Sequence, residues 1–163
     1  MKKYIYWLLP IVWMGVIFYS SAQPYEKQDM KPLLDRTFDL SFLTPLVDWV
    51  SFTYHHSEVS TAALGVEGFV EFFLRKGAHV AVFFVLMCLF FVAFRKTSRM
   101  RFWAVLVMSF LFTVAYGAID EFHQGFTVNR TPYVGDVLID GTGALAAAIL
   151  LGFLQYYRTK NRS

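Results

Sequence analysis

The stretch Lys76–Arg101, KGAHVAVFFVLMCLFFVAFRKTSRMR, decides how the chain is read. Between Lys76 and Arg95 lie 18 residues, and His79 is the one among them that titrates near neutral pH. A helix rises about 1.5 Å per residue, so roughly 20 residues cross a hydrocarbon core of about 30 Å. The run is long enough to span. The basic cluster Arg95, Lys96, Arg99 and Arg101 that closes it marks where the chain leaves the bilayer.

Working outward, three further gaps between charges have similar length. Lys3 to Glu26 encloses 22 residues, Arg101 to Asp120 encloses 18, and Asp140 to Arg158 encloses 17. Their contents, together with Val80–Phe94, are almost wholly apolar: Tyr4–Tyr19, Phe102–Ile119 and Val137–Leu154. Backbone groups in lipid must bond internally, so each such run is expected as a helix. The expected fold is an all-α polytopic membrane protein, one domain over residues 1–163. Its spans lie at about 4–22, 77–94, 102–119 and 137–154, with external segments at about 23–76 and 120–136.

Composition agrees with that reading. The chain is 56% hydrophobic and 17% charged, with 18 Phe, whereas a soluble domain is about half apolar and about a quarter charged. Apolar content this high excludes disorder. Cys88 is the only cysteine, which excludes a disulfide framework and a cysteine zinc cluster. The first span has a second reading as a cleaved signal peptide, from basic Lys2 and Lys3 and the small residues Ser20-Ser21-Ala22. Its apolar run exceeds the usual core of about 7 to 15 residues, and Trp7, Trp13 and Tyr19 suit a retained helix.

Orientation follows from the basic residues. One side of the membrane receives Lys2, Lys3, Arg95, Lys96, Arg99, Arg101, Arg158, Lys160 and Arg162, nine positive charges and no acid. The other receives Lys27, Lys31, Arg36, Arg75, Lys76 and Arg130 with all twelve acids. The net +3 is thus +9 on one face and −6 on the other. The positive-inside rule places both termini in the cytoplasm. The same rule accounts for the pI near 9.0, so no nucleic-acid partner is expected.

In the first external segment, Leu43, Leu46, Val47 and Val50 recur at helical spacing beside Phe42 and Trp49. They predict a short helix, lying along the outer membrane surface or packed on the bundle as a lid. His55-His56 has no acid at a useful spacing before Glu58, and no chemistry is assigned to it. Val66–His79 is expected to run as helix into the second span, with Arg75 and Lys76 on the face of His79. Both cations also fit an interfacial anchor whose side chains snorkel from a helix end.

The second external segment holds the chemistry. It runs Asp120-Glu121-Phe122-His123-Gln124 through Arg130 to Asp136, and Asp140 follows one turn into the last span. Helical continuation puts Tyr116, Asp120, His123 and Gln124 on one face, and Asp136 and Asp140 on one face of the next helix. With His79 at the outer end of the second helix, three helix ends can present polar groups to one point. A carboxylate at a helix centre costs about 2.5 to 3.5 kcal/mol, so intramembrane acids are functional candidates. The alternative is a structural salt-bridge cluster of Arg130 with Asp136 or Asp120. In the last span Gly143/Ala147, Ala144/Ala148 and Ala148/Gly152 allow close helix approach, inside the bundle or in a homodimer.

These residues together resemble the VanZ-like family of small bacterial membrane proteins. The likeness lies in Asp120-Glu121-Phe122-His123-Gln124, Arg130, Asp136-Val137-Leu138-Ile139-Asp140, and Gly141 with Gly143. Lys76 and His79 resemble the family's Lys-x-x-His at the head of a span. Ile17-Phe18-Tyr19 with Ser21, Gln23 and Pro24 is similar to its first-helix exit, with Ala22 where the family has a second serine. The resemblance implies a bacterial envelope setting and a link to glycopeptide tolerance, teicoplanin above all. It does not supply a reaction.

Three functions are compatible with these residues. In the first the protein binds or remodels an anionic lipid or lipid-linked cell-wall group, with Lys76, Arg75 and Arg130 meeting phosphate and Gln124 and His123 bonding the head group. In the second it is an enzyme on such a lipid, with His79 or His123 as base and Asp120 or Asp136 orienting it; Glu121, Asp136 and Asp140 complete the catalytic candidates. A divalent metal on Asp120, His123, Asp136 and Asp140 is a variant of this, although the spacing matches no standard metal motif. The third, a small transporter or flippase, ranks last because four spans without broken repeats offer little pathway. The topology has a direct test: a C-terminal fluorescent-protein fusion should glow and a C-terminal alkaline phosphatase fusion should be inactive. The reverse pattern would invert the assignment.

Overall fold

The computed structural model describes residues 2–24, 29–127 and 131–161. A 3-10 turn, Lys2–Trp7, leads into α1 (Leu8–Ser21). There follow α2 (Lys31–Thr37), a 3-10 turn at Ser41–Leu43, α3 (Thr44–Val47), and strands β1 (Ser51–Tyr54) and β2 (Ser57–Ser60). Three long helices complete the chain: α4 (Thr61–Thr97), α5 (Phe102–Gln124) and α6 (Val134–Lys160). Four helical stretches, Lys3–Ser21, α4, α5 and α6, are long and apolar enough to cross a membrane. The fold is all-α and polytopic, and the protein is a multi-pass membrane protein.

The helices outrun the apolar spans read from sequence. Val66–His79 runs as helix into the second span as expected, within a helix that starts at Thr61, and the last helix continues to Lys160. Hydropathy marks what lipid will accept, whereas helix ends are set where the backbone turns extended. Arg101 (φ −64, ψ 153) does this before α5, and Tyr133 (φ −139, ψ 120) before α6. In α4, Gly65 is non-helical (φ 72, ψ 169), so the first turn is set off from the rest.

The chain divides into two compact units, one of Met1–Gln23 with His79–Ser163, the other Pro24–Ala78. In the first, burial is the inverse of a soluble protein's. Leu8, Ile11, Leu111, Leu145, Ile149 and Phe153 are exposed, whereas Ser109, Thr113, Asp120 and Asp140 are buried. Lipid solvates the former and cannot solvate the latter. Ser109 and Thr113 satisfy their hydroxyls on the carbonyls of Val105 and Ser109, 2.7 and 2.8 Å away on their own helix.

Two apolar clusters hold the helices together. Ile17, Phe83, Leu86, Phe90 and Tyr116 join α1, α4 and α5, while Met87, Leu106, Ala144 and Ala147 join α4, α5 and α6. Polar side chains add directional ties for α1. Trp7 Nε1 donates to Thr97 Oγ1 at 3.2 Å, Trp13 Nε1 to the Val82 carbonyl at 3.0 Å, and the Tyr116 hydroxyl to the Met14 carbonyl at 2.6 Å. The small-residue stripe is used inside the bundle: Gly143, Ala144 and Ala147 are all buried. A Cβ on Gly143 would stand 2.2 Å from the Val80 carbonyl oxygen.

The unit Pro24–Ala78 departs from the sequence expectation. The run 42–50 does not form one amphipathic helix but a 3-10 turn and the four-residue α3, which stops at Val47. Trp49 Nε1 bonds the Leu46 carbonyl at 2.7 Å, and the chain then turns extended into the hairpin. Strands β1 and β2 are antiparallel, with Phe52 opposite Val59 and Tyr54 opposite Ser57. His55 and His56 form the two-residue turn and are not helical; both take positive φ, 47° and 64°. A two-residue hairpin loop requires that conformation because its twist matches the strands. Phe52 and Tyr54 pack on Phe72 of α4, with ring centroids 5.9 and 5.3 Å apart. Ahead of the 3-10 turn, hydrogen bonds from the Ser41 hydroxyl and backbone N–H hold the Asp39 carboxyl below the usual carboxylate range.

Gly143 and Gly141 provide a paired test of the packing. Gly143→Ala should cost about 1–3 kcal/mol by overpacking. Gly141, with nothing within 4 Å of a built Cβ, should tolerate Ala or gain about 0.5–1 kcal/mol from helix propensity. Thermal unfolding in detergent, followed by circular dichroism, reads both; equal effects would place the α4–α6 contact elsewhere.

Candidate functional site

The last turns of α5 present Tyr116, Asp120 and Gln124 at four-residue spacing, hence on one face. That face meets the end of α1. Ser21 Oγ donates to Asp120 Oδ2 at 2.6 Å, and Gln124 Nε2 donates to the same oxygen at 3.1 Å. Asp120 is 1% exposed, and its Oδ1 has no hydrogen-bond partner among the described residues. His123 turns to α1 as well, but its ring stacks on Phe18 with centroids 4.0 Å apart. Its Nδ1 is buried and unbonded among the described residues.

His79 finds its partner on α6. Its Nδ1 lies 3.0 Å from Asp140 Oδ1, the carboxylate residue being 1% exposed and the imidazole side chain 26%. A glycine makes the room. Gly143, one turn beyond Asp140, lets α6 close on the Val80 carbonyl, next to His79. A Cβ on Gly117 of α5 would lie 3.5 Å from Asp140 Cβ and Oδ2, an ordinary contact distance. Asp120 is one turn further along that helix. His79, Asp120 and Asp136 are all near enough to act electrostatically on Asp140. Ser21, His79, Asp120 and Asp140 therefore come from four helices to one end of the bundle.

The remaining candidates have other surroundings. Glu121 Oε1 accepts the backbone N–H of Tyr133 at 2.6 Å, fixing the residue that precedes α6. Asp136 sits in the first turn of α6, where the helix dipole favours a negative charge. In the unit Pro24–Ala78, Arg75 Nη2 meets Glu71 Oε1 at 2.6 Å, and Lys76 Nζ lies 4.6 Å from the centroid of the Tyr54 ring. Arg130 is outside the described residues, and with it the salt-bridge cluster expected there. Among the described residues no three His, Cys, Asp or Glu side chains are placed to hold one metal ion. Asp120, His123, Asp136 and Asp140 thus do not converge as a metal site.

Two buried polar residues escaped the sequence reading, Ser21 at this site and Glu71 in the unit Pro24–Ala78. Ser21 lies at the end of an apolar run beside Ser20, and nothing local distinguishes which hydroxyl faces inward. Glu71 is 2% exposed and takes hydrogen bonds from Arg75 and from the Met30 N–H, the latter at 3.3 Å. Its spacing of four before Arg75 was the available signal.

Among known proteins, the family model described as VanZ/LLP1 matches residues 6–155 of the chain. No curated protein and no solved structure matches it.

The Ser21–Asp120 bond predicts a measurable coupling. A hydrogen bond to a charged group contributes about 1.5–3 kcal/mol. Ser21→Ala and Asp120→Ala should each destabilise the bundle in detergent, with the double variant less destabilised than their sum by about 1 kcal/mol or more. Strict additivity would mean that the two side chains do not interact.

Proposed function

The chain belongs to the VanZ/LLP1 family, and from that premise we propose that it binds or remodels the polar head group of an anionic lipid or lipid-linked cell-wall group at the outer face of a bacterial cell membrane. Its termini would then be cytoplasmic. The observation that carries this reading is the 3.0 Å pair of His79 and Asp140. Asp140 is buried and fixes the ring through Nδ1, while the ring itself reaches the surface. Nε2 is then left to engage a ligand: protonated, it donates a hydrogen bond to a phosphate oxygen; neutral, it accepts a proton.

Support also comes from where the group lies along the spans. Ser21 ends the first apolar run, His79 begins the second, Asp120 ends the third and Asp140 begins the fourth. In an up-and-down bundle these are the ends opposite the basic segments, at head-group depth. Gln124, Lys76 and Arg130 are the further ligand-contacting residues in this reading. Sequestering or altering a lipid-linked cell-wall group would reduce what teicoplanin-type glycopeptides find at the surface, which connects the site to glycopeptide tolerance.

The same pair favours a second reading, an enzyme on a lipid phosphate or pyrophosphate. An imidazole oriented by a buried carboxylate is the base-plus-orienter arrangement. His79 would take the proton of the attacking water, and Asp140 would hold the ring in place.

Lipids extracted from purified protein separate the readings. Wild type should retain one anionic class enriched over the bulk membrane, and His79→Ala and Asp140→Asn should each lower that enrichment roughly tenfold or more, as the loss of a charged hydrogen bond implies. Teicoplanin tolerance conferred on a susceptible bacterium should fall in parallel. Equal enrichment in the variants would overturn the binding reading, and phosphate release by wild type alone would establish the enzyme.

A further inference from the structure

In the segment from the 3-10 turn through Trp49 the large apolar side chains differ in exposure. Leu43, Val47 and Val50 are half-buried, whereas Phe42, Leu46 and Trp49 are 66, 64 and 81% exposed. The exposed three lie within one stretch of eight residues. Trp49 is fastened there by its bond to the Leu46 carbonyl, with its ring exposed. Phe38, at 58%, precedes them.

Large side chains this exposed are unfavourable in water when they lie together. We infer that the Phe42–Leu46–Trp49 stretch lies in the head-group region of the same bilayer that the four helices cross. Continuity with the spans argues for this occupant. The unit begins at Pro24, three residues after the last residue of α1, and ends at Ala78 on α4, the helix that carries the second apolar run. Both of its chain ends are therefore tethered at the membrane. Trp is enriched at the membrane–water interface, and a segment lying in that interface buries its Trp, Phe and Leu side chains about 5–10 Å into the boundary of head groups and acyl chains. This inference is independent of the chemistry assigned to His79.

Brominated lipids test it on the intact chain. Reconstituted in phosphatidylcholine–phosphatidylglycerol vesicles brominated near the head of the acyl chain, wild type should lose more tryptophan fluorescence than Trp49→Phe loses. With bromine placed near the chain end, that difference should shrink. A nitroxide at Leu46→Cys in a Cys88→Ser background should be reached by oxygen and shielded from a water-soluble nickel complex, while one at Ser57→Cys beside the hairpin turn should be open to nickel. Nickel access at both positions, with quenching identical in wild type and Trp49→Phe, would overturn the inference. So would dipolar broadening between Leu46→Cys labels on separate chains, which would make a second copy the occupant.

Discussion

Gly143 has no side chain at the point where the carbonyl oxygen of Val80 stands, 2.2 Å from the place a Cβ would take. In lipid, helices gain nothing by hiding apolar surface from each other, so they associate by close packing and by polar contacts. The absence of one methyl group supplies the first and creates the second. With α6 drawn onto α4 at this level, Asp140, one turn before Gly143, comes within 3.0 Å of His79, the residue before Val80. Gly117 of α5 faces the same carboxylate at ordinary contact distance.

Three buried carboxylates at this end of the bundle have distinct partners. Asp120 takes a hydroxyl and an amide, Glu121 a backbone N–H, and Asp140 an imidazole. Each keeps one oxygen without a partner among the described residues. The differing partners divide the roles. Glu121 holds the backbone ahead of α6, Asp120 ties α1 to α5, and His79 with Asp140 is the pair that reaches the surface.

The spans were legible in the sequence because hydropathy is a property of composition along one dimension. The polar residues were legible as a set, since Asp120, His123 and Asp140 are conspicuous beside apolar runs. Their pairing was not. Whether His79 meets Asp120, Asp136 or Asp140 depends on helix rotation, which is governed by where a neighbour lacks a Cβ. His123, equally placed on a helical wheel, is instead held by Phe18. The hairpin was hidden for another reason: Ser51–Tyr54 and Ser57–Ser60 are too short to show alternation, and the turn is made by two histidines where glycine or asparagine would have announced it.

The ties on α1 have a consequence in time. Ser21 and Asp120 are 99 positions apart, and the Tyr116 hydroxyl reaches back 102 to Met14. At synthesis rates of about 5–20 residues per second, roughly 5–20 s separate the emergence of each pair of partners. During that interval the first helix has neither bond. Until the second span brings Val82 and Thr97 to Trp13 and Trp7, it must hold its place by its own apolar surface and interfacial aromatic residues, and the bonds of Ser21 and Met14 form only when the third span arrives. A short first span with a serine at its end can thus wait, because the acid that completes it comes later.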